Sequence, residues 1–192
     1  MINSKPDLTF QFNQRLGRHG WLRLTPAYSV KIVRDILARV PSVSYVLDPF
    51  SGTGTTGLVS AELGLHCDLL EINPFLVWFA KVKASTYSAE VRDNTRQLAQ
   101  EIVKHVIATE DRNDLWIPDL HNIERWWSSD NLQFLAKLRF SIYKACPDAC
   151  SERDLLWVAF CRIMIDTSNA AFNHQSMSFK PVSSQLSLFP RD

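Results

Sequence analysis

The chain has 192 residues, 46% of them hydrophobic, which is enough apolar material for one folded core and excludes a wholly disordered protein. Its formal net charge of +1 lacks the strong basic excess expected of an autonomous DNA binder. No signal peptide or membrane-length apolar run is found, so a cytoplasmic protein is expected.

In chain order, Thr25-Pro26 has two readings, part of a ligand-lining segment or an ordinary helix start with Val30 to Leu37 as its amphipathic body. Val46-Leu47 then ends in Asp48-Pro49, a glycine-rich turn follows, and Thr55 to Leu63 has helical apolar spacing. Strand, tight turn and helix in that order form the first unit of a doubly wound α/β sheet that binds a nucleoside. Gly52, Gly54 and Gly57 satisfy G-x-G-x-x-G, the dinucleotide fingerprint. Charge argues against a dinucleotide. A pyrophosphate would lie over the turn and the helix N-terminus, facing the Asp48 carboxylate, and Pro49 removes a backbone N–H that a phosphate would use. A ligand with positive charge there has the opposite preference. S-adenosylmethionine, with its ammonium and sulfonium, is such a ligand.

His66 to Ile72 is a second short, mostly apolar run, and it contains Glu71. Glu71 follows Asp48 at close to the ~20-residue interval at which an acid hydrogen-bonds ribose hydroxyls in such folds. The competing reading is a surface acid that merely ends a strand. Asn73-Pro74 supplies an N-cap and a first-turn proline for a helix from Phe75 to Ala84.

Asp48-Pro-Phe-Ser-Gly-Thr-Gly-Thr-Thr56 with Glu71-Ile-Asn-Pro74 resembles the cofactor motifs of amino-group DNA methyltransferases, which form N6-methyladenine or N4-methylcytosine. Gly20 to Ser29 is similar to the segment that closes over the methionine end of the cofactor in that family. The resemblance covers about residues 18 to 84. It implies S-adenosylmethionine as cofactor, with Thr25, Tyr28 and Ser29 lining the methionine pocket. Asp48, Phe50, Ser51, Gly52, Gly54, Thr55, Glu71 and Asn73 would supply the remaining contacts.

The same family acts through a loop of Asn, Asp or Ser, then Pro-Pro, then an aromatic residue, which accepts hydrogen bonds from the target amine and stacks on a flipped base. No Pro-Pro dipeptide occurs in this sequence. A cytosine-C5 enzyme would need a Pro-Cys nucleophile, and Cys146-Pro147 has the wrong order. No catalytic residue is assigned to the chain. Metal ligation is not expected either, since Cys67, Cys146, Cys150 and Cys161, with His121 and His174, lack zinc spacing and read as reduced thiols and ordinary histidines.

Beyond Ala84 the periodicity is helical: Ala89 to Ile107, Asn131 to Lys144 with Phe134, Leu135, Leu138 and Ile142, then Glu152 to Asp166 with Leu155, Leu156, Val158, Ala159 and Ile163. Only two convincing strands are found, whereas a complete sheet of this class has several and two parallel strands leave edges and faces uncovered. The expected architecture is therefore α/β, a partial Rossmann-like methyltransferase fold of about two parallel strands plus helices, with the sheet completed by a partner chain. Residues 1–84 would form the cofactor-binding half, 85–180 a helical extension and 181–192 a tail. A natural split enzyme and a truncated chain would read alike.

Three further segments have two readings each. Trp126-Trp127, ahead of a Ser128-Ser129-Asp130 cap, fits packing better than base stacking. Ser168 to Ser176 is polar and suits either phosphate and base contacts or a solvated loop. Gln185-Leu-Ser-Leu-Phe189 resembles the pentapeptide by which bacterial proteins dock onto the replication sliding clamp; the alternative is an apolar anchor on a partner. Together the residues and the resemblance lead to the expectation of a cofactor-binding subunit of a heteromeric DNA amino-methyltransferase in restriction-modification or phage defence. Its partner would carry the Pro-Pro-aromatic loop, and double-stranded DNA would be bound through the complex. An RNA guanine-N2 methyltransferase component and a non-catalytic nucleotide-binding regulator are the rivals.

Overall fold

A computed structural model describes residues 8, 10–22, 28–40, 42–112, 114–171 and 178–180. Two sequence expectations, Thr25 in the methionine pocket and the tail with Gln185 to Phe189, lie outside the described residues, as does most of the 168–176 segment. The chain divides into two compact units, Met1–Thr86 and Tyr87–Asp192.

The first unit begins with a short helix α1 (Phe10–Asn13) and a 3-10 turn (Gly17–Gly20), followed by α2 (Val30–Arg39). Ser29 caps α2, its hydroxyl accepting the Ile32 N–H at 3.3 Å. Asn13, 1% exposed, holds the chain just before α2 from both sides. Its amide donates to the Tyr28 carbonyl at 3.1 Å and accepts from the Val30 N–H at 2.8 Å. Tyr28 is thereby fixed before the sheet begins.

The sheet consists of β1 (Tyr45–Asp48) and β2 (His66–Leu69), joined through α3 (Thr55–Glu62) and paired in parallel with Tyr45 opposite His66 and Asp48 opposite Leu69. Val30, Val33 and Val59 pack α2 against α3, with Leu16 and Leu37 around them. Side chains alternate along a strand, and here one set stays in solvent, with Tyr45 57% and Leu47 58% exposed. After β2 comes α4 (Pro74–Ala84), with Asn73 as its N-cap and Pro74 in its first turn. This mixed architecture with its short parallel pair is compatible with a partial Rossmann-like fold.

The second unit is mainly helical. Helices α5 (Ala89–Ala108), α7 (Ser129–Ala145) and α8 (Ser151–Asp166) enclose a core of Ile102, Val106, Phe134, Leu138, Ile142, Cys146 and Leu156. Ala159, expected on the packed side of α8, is exposed, because the buried stripe runs through Leu156, Val158 and Cys161. A four-residue helix α6 (Ile123–Trp126) and an antiparallel pair, β3 (Ala170–Ala171) with β4 (Ser178–Phe179), escaped sequence reading. Elements of two to four residues show no periodicity to read. Trp126 and Trp127 are both packed: Trp126 lies edge-on to Phe179 with centroids 5.1 Å apart, and the Trp127 indole N–H donates to the Met164 carbonyl at 2.9 Å. Among the described residues no helix is long and apolar enough to cross a membrane, and no cluster of metal-ligating side chains is found.

Candidate binding site at the glycine turn

The C-terminal ends of β1 and β2 lie side by side, and the turn that follows β1 is stitched to the loop that follows β2. The Leu70 N–H donates to the Asp48 carbonyl at 2.9 Å, and the Ser51 N–H donates to the Leu70 carbonyl at 3.0 Å. Asp48 is fixed through both oxygens: Oδ1 accepts the Phe50 N–H at 3.1 Å and Oδ2 accepts the Tyr28 hydroxyl at 3.0 Å. That hydroxyl also lies 2.8 Å from Thr56 Oγ1, so Tyr28 links the strand end to the first turn of α3. Burial raises the Tyr28 phenol above its usual range; the Thr56 bond opposes this and the Asp48 charge adds to it. Tyr28 is a neutral donor near pH 7.

Glu71, in the loop that follows β2, faces Asp48 in role. Its Oε2 accepts the Gly52 N–H and its Oε1 the Asn73 N–H, each at 2.9 Å. The Asn73 side chain in turn accepts the Phe75 N–H at 3.0 Å. Gly52 and Gly54 have φ of 51° and 72°, the left-handed region that side chains disfavour. The two differ in surroundings. A Cβ on Gly52 would meet nothing within 4 Å, whereas one on Gly54 would come within 2.8 Å of the Ala80 Cβ, so Gly54 lets α4 approach while Gly52 leaves the turn open.

The structure thus gathers Tyr28, Asp48, Phe50, Ser51, Gly52, Gly54, Glu71 and Asn73 of the sequence candidates around one turn. Ser29 has another task as the fully buried cap of α2, and Thr55 is buried at the start of α3. Two residues not singled out from the sequence join the site. Ile72, directly after Glu71, is 98% exposed, and Phe50 is 86% exposed, so two apolar side chains stand in solvent beside the two acids. Lys83 of α4 is 1% exposed and donates from Nζ to the Thr53 carbonyl at 3.0 Å. Its signal in the sequence is its spacing, since it follows the buried Phe79 by one helical repeat on an otherwise apolar face.

The arrangement suits a ligand with cationic, hydroxyl-bearing and flat apolar parts. A carboxylate has about four lone-pair sites, and the bonds above occupy two on each acid. Asp48 and Glu71 are partly exposed, so each can accept further donors. Ser51 Oγ is buried without a hydrogen-bond partner among the described residues, an arrangement that costs roughly 1–3 kcal/mol unless a ligand or water satisfies it. An apolar cavity of ≈ 370 Å³ in the second unit, lined by Trp116, Trp127, Trp157 and Phe160 among others, offers Arg139 as its cationic side chain and lacks such a donor and acceptor set.

No protein-family model matches the chain. No solved structure matches it. Among curated proteins, 73 residues, 37% of the chain, are 29% identical to the Type II methyltransferase M.AvaI of Nostoc sp. (strain PCC 7120 / SAG 25.82 / UTEX 2576) and to that of Anabaena variabilis. Another 29% identity extends over 69 residues, 35% of the chain, with the Type II methyltransferase M.BsoBI of Geobacillus stearothermophilus. The matches span only 15% and 14% of the length of these relatives. Over about a third of its length, then, the chain is similar to a small part of type II methyltransferases.

Proposed function

We propose that this chain is the S-adenosylmethionine-binding subunit of a heteromeric, site-specific DNA methyltransferase that modifies the N6 of adenine or the N4 of cytosine, in restriction-modification or phage defence. The observation that carries the reading is an acid on each side of one open glycine turn, Asp48 and Glu71, each anchored by backbone N–H groups. The partial similarity to type II methyltransferases supports it.

Bound S-adenosylmethionine would supply the methyl group. Asp48 favours the cationic methionine end, since a partly exposed carboxylate attracts an ammonium and repels a phosphate. Glu71 accepts from the ribose hydroxyls while holding Gly52 in place. Phe50 and Ile72 cover the faces of the adenine, which removes their apolar surface from water. Ser51 Oγ gains the partner it otherwise lacks. Residues 1–84 would act as this donor-binding half, with 85–180 as its helical extension.

The chemistry on the base belongs to a second polypeptide in this reading, one that carries the Pro-Pro-aromatic loop absent here. The exposed Tyr45 and Leu47 and the short parallel pair favour a partner that continues the sheet. Double-stranded DNA is held by the complex. The tail at 181–192 serves as an anchor on that partner, with sliding-clamp docking as the alternative. Isothermal calorimetry with S-adenosylmethionine and with NAD tests the cofactor. Binding of the first and not the second is expected; the reverse would establish a dinucleotide module and refute the proposal.

A further inference from the structure

We propose that Lys83 is the positioning residue of the glycine turn, an ammonium buried beneath it that holds the Thr53 carbonyl and so fixes the shape in which the turn receives its ligand. The inference builds on the cofactor reading given above. Burying an ammonium is costly unless it is paired, and no carboxylate lies within ion-pair distance of Lys83 among the described residues. Its Nζ is directed instead at a main-chain carbonyl in the middle of the turn.

That carbonyl is one end of a single peptide plane. Its other end, the Gly54 N–H, donates to the Ser51 carbonyl at 2.8 Å. A planar peptide held at both ends cannot rotate, so Lys83 and Ser51 together lock the Thr53-Gly54 unit between the two left-handed glycines. Helix α4 therefore grips the site twice, at its start through Asn73 and Glu71 and near its end through Lys83. Arg18 secures that second grip, donating to the Lys83 carbonyl at 3.1 Å and also to the Ser85 carbonyl.

The charged and titratable groups around Lys83 are Arg18 and His19 of the N-terminal segment and Glu62 of α3, which Arg34 of α2 engages. Burial pushes Lys83 down to about 8, with Glu62 acting against it. Below that pH the bond to Thr53 is charge-assisted; above it a weaker neutral amine remains.

The test uses the full chain, wild type, Lys83→Met and Lys83→Arg, with calorimetry of S-adenosylmethionine from pH 6.5 to 9.5 and amide exchange of the ligand-free proteins. The donor's own amine also titrates near pH 8, so the Lys83 component is the part of the wild-type pH step that Lys83→Arg lacks. Lys83→Met should bind roughly 10-fold more weakly at pH 7. Its Gly52, Thr53 and Gly54 amides should exchange about 10-fold faster while those of Ala80 and Val82 keep their protection. Lys83→Arg should retain the affinity within about 3-fold and show the smaller pH step. Wild-type affinity and wild-type turn exchange in Lys83→Met would overturn the proposal. Should Lys83→Met fail to fold, identical pH profiles for wild type and Lys83→Arg would overturn it. If wild type binds no S-adenosylmethionine at all, the cofactor reading falls, and the exchange measurement alone decides the role of Lys83.

Discussion

Glu71 and Gly52 are bonded across the mouth of the turn, the carboxylate accepting the glycine N–H at 2.9 Å. The acid proposed to accept from the ligand is therefore also part of the frame that shapes the site, and its removal should act on both.

Asp48 and Glu71 are separable by this difference. Asp48→Asn keeps an oxygen for the Phe50 N–H and turns its NH2 to the Tyr28 hydroxyl, which can accept it while donating to Thr56 Oγ1, but it loses the charge, so it should weaken S-adenosylmethionine binding by about 1.5–3 kcal/mol with the melting temperature little changed. Glu71→Ala loses two bonds to a charged acceptor and should lower both affinity and unfolding free energy, the latter by about 1–3 kcal/mol. Calorimetry and urea unfolding measure the two. Wild-type affinity in both variants, with intact circular dichroism, would remove this pocket from consideration.

His19 makes stability depend on acid. It is 4% exposed, and burial, followed by the Lys83 charge, lowers its pKa, while the Glu62 bond at 3.2 Å opposes the shift. The folded state holds the neutral ring more readily than the unfolded chain does. Its contribution to stability is thus fully present above about pH 6.5, the ordinary histidine value, and is lost as pH falls through the lower folded value. Unfolding free energy should drop between pH 7.5 and 5.5 in wild type and drop less in His19→Gln. Equal drops would assign the effect to another group.

Activity should require two chains. The purified chain alone should transfer no methyl group to DNA, and addition of a partner carrying Pro-Pro-aromatic should restore transfer, read by incorporation of labelled methyl groups. Robust methylation by the chain alone would end the split-enzyme reading.

Assembly should be extensive. The complex should bury more than about 2,000 Å² in total, as obligate pairs do, and the chain expressed alone should self-associate through Tyr45, Leu47 and the open strand edges. Deleting residues 181–192 should loosen the complex if the tail is an anchor. An intact complex that no longer binds the sliding clamp would instead identify a docking peptide. A monodisperse, stable monomer would count against both.

Local signals were legible because they are local. Asn73-Pro74 and Ser128 mark helix starts through side chains that cap within three residues, and α4 and α7 begin there. The helical spacing of apolar residues placed α5 and α8 within a residue or two of their bounds. What the sequence hid depends on distant partners. Lys83 looks like one more surface lysine until Thr53 is folded over it, and Ile72 looks like the end of a strand although β2 stops at Leu69. Gly57 fits a ligand fingerprint in the sequence, yet a Cβ there would come within 2.6 Å of Leu69 Cδ1, so its smallness serves the packing of α3 on β2.

The Asn13 clamp moves the upstream border of the site. No cofactor motif lies before Gly20, yet Tyr28 is aimed at Asp48 by an amide fifteen positions earlier in the chain. Trimming the protein to its recognisable motifs would leave every pocket residue in place and still release the tyrosine. A bulky fusion that unwinds Phe10–Asn13 would do the same, so the shortest fragment able to preserve this geometry starts ahead of α1.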